Sequence, residues 1–166
     1  RSPAELAQPR VHLPAMVGGV VHHVLHDLEQ AGMLSASDGE VWRMLGEARL
    51  ALGHFAEAEA AFEAALRAKL EVAAVYRGLA DAQAGLGQVE KALESYGNCI
   101  RMRLDNPRSY LARGTFLARQ KRYQDAIEDY GRALMLEPEL AEALYKRGFA
   151  LGLVGKFDQA ERDREL

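Results

Sequence analysis

With 166 residues, 49% hydrophobic and 27% charged, the chain has enough apolar material to bury a core, which excludes a disordered polymer. A formal net charge of −3 gives no overall pull toward nucleic acid, and a single cysteine, Cys99, excludes an internal disulfide and fits a reducing, cytoplasmic setting. The longest early apolar stretch, LPAMVGGVV, contains proline and two glycines; it is too short for a membrane span and has no basic leader, so no membrane partner is expected.

The first element in chain order lies within residues 1–38. The stretch VVHHVLHDLEQAGM is helical in pattern, and a helix over about residues 19–33 is expected as a degenerate half-repeat or N-terminal cap. Pro9 and Pro14 fit poorly with a helix before it. His22 and His26 stand four apart on this helix, yet no third ligand is placed by spacing, so no metal is expected. The start at Arg1 rather than methionine is that expected of a segment from a longer protein.

From residue 39 a period of 34 governs the chain. Small residues recur at Gly46, Ala80, Gly114 and Gly148, and again at Ala58, Ala92, Ala126 and Ala160. Large ones recur at Trp42, Tyr76, Tyr110 and Leu144, at Phe62, Tyr96 and Tyr130, and at Phe55, Val89, Tyr123 and Phe157. Each unit reads as two amphipathic helices around a short turn: GHF, GQV, KRY or GKF. Gly53, Gly87 and Gly155 suit the left-handed residue that ends a helix, with Lys121 in that place in the third unit. Ser37 to Glu40 reads as a capping box, and Asn106–Pro107 as a cap followed by proline at the first helical position. The small residues let paired helices approach closely, and the aromatics fill the space above and below.

Two further columns carry charge. The residue before the first-helix small position reads Leu45, Leu79, Arg113, Arg147. The residue before the second-helix aromatic position reads Ala61, Ser95, Asp129, Asp163. Arginine occurs only where aspartate does, and the two columns face each other in an antiparallel pair. Structural ion pairs Arg113–Asp129 and Arg147–Asp163 are therefore expected; a ligand-binding role for either arginine is the alternative.

Period and columns together resemble the tetratricopeptide repeat (TPR), with units at 39–72, 73–106, 107–140 and 141–166, the last truncated. The resemblance covers about three quarters of the chain. It departs in keeping the late proline only as Pro138. It implies an all-α fold, a right-handed superhelix of antiparallel helix pairs whose first helices line a concave groove. It further implies that Arg43, Glu47, Arg77, Asp81, Arg108, Leu111, Thr115, Arg119, Glu142, Tyr145 and Phe149 face that groove. Chaperone-binding members grip a C-terminal carboxylate with Lys and Asn, where this chain has Arg43, Glu47 and Asp81; that ligand is not expected.

No catalytic constellation or cofactor motif is found. GLVGK lacks the earlier glycine of a phosphate loop, having Ala150, and has Phe157 where Ser or Thr would be needed. The expected role is a non-catalytic module binding a peptide or protein segment, with two alternatives: a substrate-recruiting part of an enzyme, or a self-assembling scaffold. Acids dominate from Asp27 to Glu63 and bases from Arg101 to Arg122, a polarity suited to orienting a charged partner. The basic segment does not exclude RNA, but no aromatics set out for stacking are interleaved with its cations, so nucleic acid is not expected. The chain stops within the fourth unit, and that uncapped edge is a candidate for self-association.

Overall fold

The structure is a computed structural model that describes residues 23, 24, 26–31 and 37–165. Pro9, Pro14 and His22 lie outside the described residues, as do both ends of the expected helix at about 19–33. Residues 26–31 are helical, and Leu28 packs against Leu45 and Ala61.

Eight helices follow in pairs: α1 (Gly39–Ala51) with α2 (Phe55–Arg67), α3 (Ala73–Gly85) with α4 (Val89–Met102), α5 (Pro107–Arg119) with α6 (Tyr123–Leu136), and α7 (Ala141–Leu153) with α8 (Phe157–Glu165). The two helices of each pair pack together and successive pairs pack on one another, so the array grows in one direction, and no strand occurs among the described residues. Caps set two of the starts. Asn106 accepts the Arg108 N–H at 3.1 Å ahead of Pro107. At α1 the cap is Asp38, which accepts the Glu40 N–H at 3.1 Å; this corrects the capping box placed on Ser37 by one residue. Gly39 begins the helix, and the acidic side chain beside it reaches the free N–H groups of the first turn.

Every turn inside a pair closes as a Schellman motif. In the first, His54 N–H bonds to Arg49 O at 2.9 Å and Gly53 N–H to Leu50 O at 3.0 Å; the third repeats it with Arg122 to Leu117 O and Lys121 to Ala118 O, both at 3.0 Å. The motif needs a left-handed residue. Gly53, Gly87 and Gly155 supply it with φ of 76°, 72° and 78°, while Lys121 is held at 61° with a side chain. A left-handed L-residue costs about 1–2 kcal/mol. Lys121→Gly is therefore expected to stabilise the array by about 1 kcal/mol in urea unfolding, with no change in far-UV circular dichroism.

The small-residue columns form the contact lines. Ala58, Ala92 and Ala126 have no exposed surface, and Phe62, Tyr96 and Tyr130 are 0%, 4% and 1% exposed. A Cβ on Gly46 would lie 2.8 Å from the Phe62 ring, and one on Gly114 2.8 Å from Tyr130. Phe62 also reaches the next unit, where a Cβ on Gly78 would lie 2.2 Å from its ring; Gly85 stands likewise 2.5 Å from Phe55. The second and third units approach less closely than their neighbours do. They meet through Tyr96 and Phe116, whose ring centroids are 5.6 Å apart.

Candidate binding groove

Arg113 and Asp129 meet inside the third pair: Nε and Nη2 donate to the two carboxylate oxygens, both at 2.7 Å. Arg147 holds Asp163 the same way at 2.7 and 2.5 Å. Both carboxylates are buried, with side chains 4% and 6% exposed, and the arginines are about a quarter exposed at 28% and 26%. The hydrogen bonds that Arg113 donates to Asp129 hold its guanidinium above the ordinary range. These pairs bridge the two helices of a unit.

A different polar bridge fills the same place in the second unit and was not read from sequence. Ser95 donates to Gln83 Oε1 at 2.8 Å, and Gln83 and Gln88 donate to the two Glu59 oxygens at 3.3 and 3.2 Å. Ser95 belongs to the aspartate column, but its partner lies one helical turn beyond the arginine column. That signal shows only if columns are compared diagonally. In the first unit Arg49 bonds Glu29 at 2.6 Å, tying the array to the helical residues before it.

The first helices face one another across two recesses. A cavity of about 260 Å³ is lined by Arg77 and Asp81 of α3, Arg108, Thr115 and Arg119 of α5, and Glu142 of α7. Leu111 contributes to it from below: at 6% exposed it belongs to the core and floors the recess. Thr115 is half-buried and donates to Leu111 O at 2.8 Å. A second cavity of about 360 Å³ shares Thr115 and Arg119 and adds Tyr123, Tyr145, Phe149 and Leu153. Arg43 and Glu47 lie outside both recesses and bond each other, with Arg43 also donating to Glu40 at 2.7 Å. A recess of about 840 Å³ beside Trp42, Ala60, Ala61 and Ala64 belongs to the packing surface that Leu28 shares.

Charge along the groove changes from unit to unit. In the second unit Arg77 Nε bonds Asp81 at 3.0 Å, and Tyr96 donates to the same carboxylate. Burial, reinforced by Asp81, pushes the Tyr96 hydroxyl well above its ordinary range; burial does the same more weakly at Tyr130. Glu142 pairs with Lys146 at 3.5 Å. Arg108 and Arg119 are exposed and, among the described residues, neither side chain is held in an ion pair or hydrogen bond. Tyr145, Phe149 and Leu153 beside them are 75%, 62% and 51% exposed. Among the described residues no group of three or more His, Cys, Asp and Glu is arranged to hold a metal, and no helix is long and apolar enough to cross a membrane.

Two family profiles match the chain: one described as tetratricopeptide repeat over residues 43–98, one described as TPR repeat over 116–155. No curated protein sequence matches it significantly. Among solved structures, MamA from Desulfovibrio magneticus RS-1 superposes with a TM-score of 0.80 at 18% identity, covering 90% of this chain and 85% of that one. YrrB, a TPR protein described as having an unusual peptide-binding site, superposes at 0.73 and 20% identity over 89% of this chain and 76% of its own. PilF of Pseudomonas aeruginosa matches at 0.67 and 26% identity over 81% of this chain, which spans 60% of it. Repeat period, Schellman turns, stacked helix pairs and both profile matches agree: the chain is an all-α TPR solenoid and belongs to the tetratricopeptide repeat family of protein-interaction modules.

Proposed function

We propose that the face shared by α3, α5 and α7 binds an extended peptide segment of a protein partner. The observation that carries this reading is the row Tyr145, Phe149 and Leu153. Three large apolar side chains stand more than half exposed on one helix, at the mouth of a cavity that a neighbouring first helix also lines. Apolar side chains gathered on one exposed face mark an interaction surface, and a groove between parallel-stacked helices suits a peptide. The description of YrrB as peptide-binding supports the same reading for a chain that shares its fold.

The test uses peptides selected by this chain from a displayed library of random decapeptides, followed by fluorescence anisotropy. Tyr145→Ala with Phe149→Ala is expected to weaken binding by tenfold or more, about 1.4 kcal/mol, because exposed aromatic anchors dominate such interfaces. Thermal unfolding should stay within about 0.5 kcal/mol of the parent, since neither side chain is part of the core. Undiminished affinity in the double variant would place the binding surface elsewhere.

A further inference from the structure

Charge satisfaction along the groove narrows the ligand chemistry. Arg43 is shared between Glu40 and Glu47, and Arg77 is neutralised by Asp81, which also accepts from Tyr96. Glu142, at the rim of the smaller cavity, is paired with Lys146. What these pairs leave uncompensated in that cavity is Arg108 and Arg119, two guanidinium groups on opposite ends of α5. Arg119 also lines the second cavity, beside Tyr145, Phe149 and Leu153. A cationic recess and an apolar recess thus adjoin and share a wall.

We infer that this section of the groove selects a segment carrying an acidic side chain close to a bulky apolar one, the carboxylate lying between Arg108 and Arg119 and the apolar group on Tyr145, Phe149 and Leu153. The inference rests on the groove reading above. A carboxylate there gains charge-assisted hydrogen bonds from guanidinium groups that give up no protein partner to make them. Spacing follows from dimensions. Neighbouring packed helices stand about 8–10 Å apart and an extended chain advances about 3.3 Å per residue, so the acid and the apolar residue are about two or three positions apart. A nucleic acid is the weaker fit: its affinity grows with the number of phosphates neutralised, and among the described residues this section of the groove offers two free cations.

The experiment reads the composition of peptides selected from the same random library, then compares each with its Glu→Gln or Asp→Asn counterpart. Selected peptides are expected to carry an acid about two or three positions from Leu, Ile, Met or an aromatic residue. The amide counterpart should bind about tenfold more weakly at about 0.05 M salt, and the difference should shrink at about 0.5 M. Arg108→Ala with Arg119→Ala should make acid and amide peptides bind alike. Both arginines are exposed, so this variant should melt as the parent does. The inference is overturned if selected peptides show no acidic enrichment, if acid–amide discrimination survives without the two arginines, or if an oligouridylate displaces the peptides. No acid–amide discrimination in the parent chain, with Tyr145 and Phe149 still required, would overturn this inference and leave the groove reading standing. Indifference to Tyr145→Ala with Phe149→Ala would instead remove the groove itself.

Discussion

Replacing Arg113 by leucine alone is expected to destabilise the array by about 3 kcal/mol, and adding Asp129→Ala should recover most of that loss. The asymmetry comes from burial. Asp129 has a side chain only 4% exposed, so without Arg113 a carboxylate is left in the helix interface with both charge-assisted bonds gone. Arg113 is 28% exposed and can turn its guanidinium to water, so Asp129→Ala alone should cost less than Arg113→Leu. The double variant recreates a combination this chain already uses, since the same two columns hold Leu45 and Ala61 in the first unit, both 1% exposed. Such an apolar pair fills the interface without any desolvated charge. Urea unfolding of the four members of the cycle measures the coupling, expected to exceed about 1 kcal/mol. Additive single effects would show that the two residues stabilise the unit independently.

The second large effect concerns Gly78. Alanine in a helix interior ordinarily gains about 1 kcal/mol over glycine. Here its Cβ would stand 2.2 Å from Phe62, a ring with no exposed surface and no room to swing aside. Separating the first two units to admit it should outweigh the propensity gain and cost a net 1–3 kcal/mol or so. Gly97→Ala is the control: the nearest atom to its added Cβ is Arg101 Nη1 at 3.8 Å, so propensity alone acts and stability should rise by about 0.5–1 kcal/mol. Opposite signs for the two glycine-to-alanine changes are the expected outcome in chemical denaturation. Equal stabilisation would mean that the first and second units are not held at this distance.

How legible these features were depended on whether a column spoke for itself. Helix pairs, turns and the Arg–Asp combinations repeat at a fixed interval, so each position is read against its counterparts, and Lys121 in a glycine column already points to a left-handed turn residue. Gly78 and Gly85 have no counterparts at their positions in the other units. Their only trace in the sequence is two glycines within one thirteen-residue helix, α3, where propensity disfavours them. The bridge from Ser95 through Gln83 to Glu59 was missed because it crosses between columns and between units. Leu111 holds a groove position in the repeat, and its depth there, 6% exposed on the floor of a cavity, cannot be read from that position alone. Groove charge was the least legible. Sequence shows Arg43, Arg77, Arg108 and Arg119 as four equivalent cations, and only side-chain geometry separates the two that are neutralised from the two that are free.

The groove is tested most directly by backbone amide shifts of the isotope-labelled chain titrated with a library-selected decapeptide. The largest shifts are expected along one connected surface, at Arg108, Thr115 and Arg119 of α5 and Tyr145 and Phe149 of α7, with α2, α6 and the outer face of α4 unmoved. Shifts centred on those second helices instead would contradict the assignment of this groove as the binding surface.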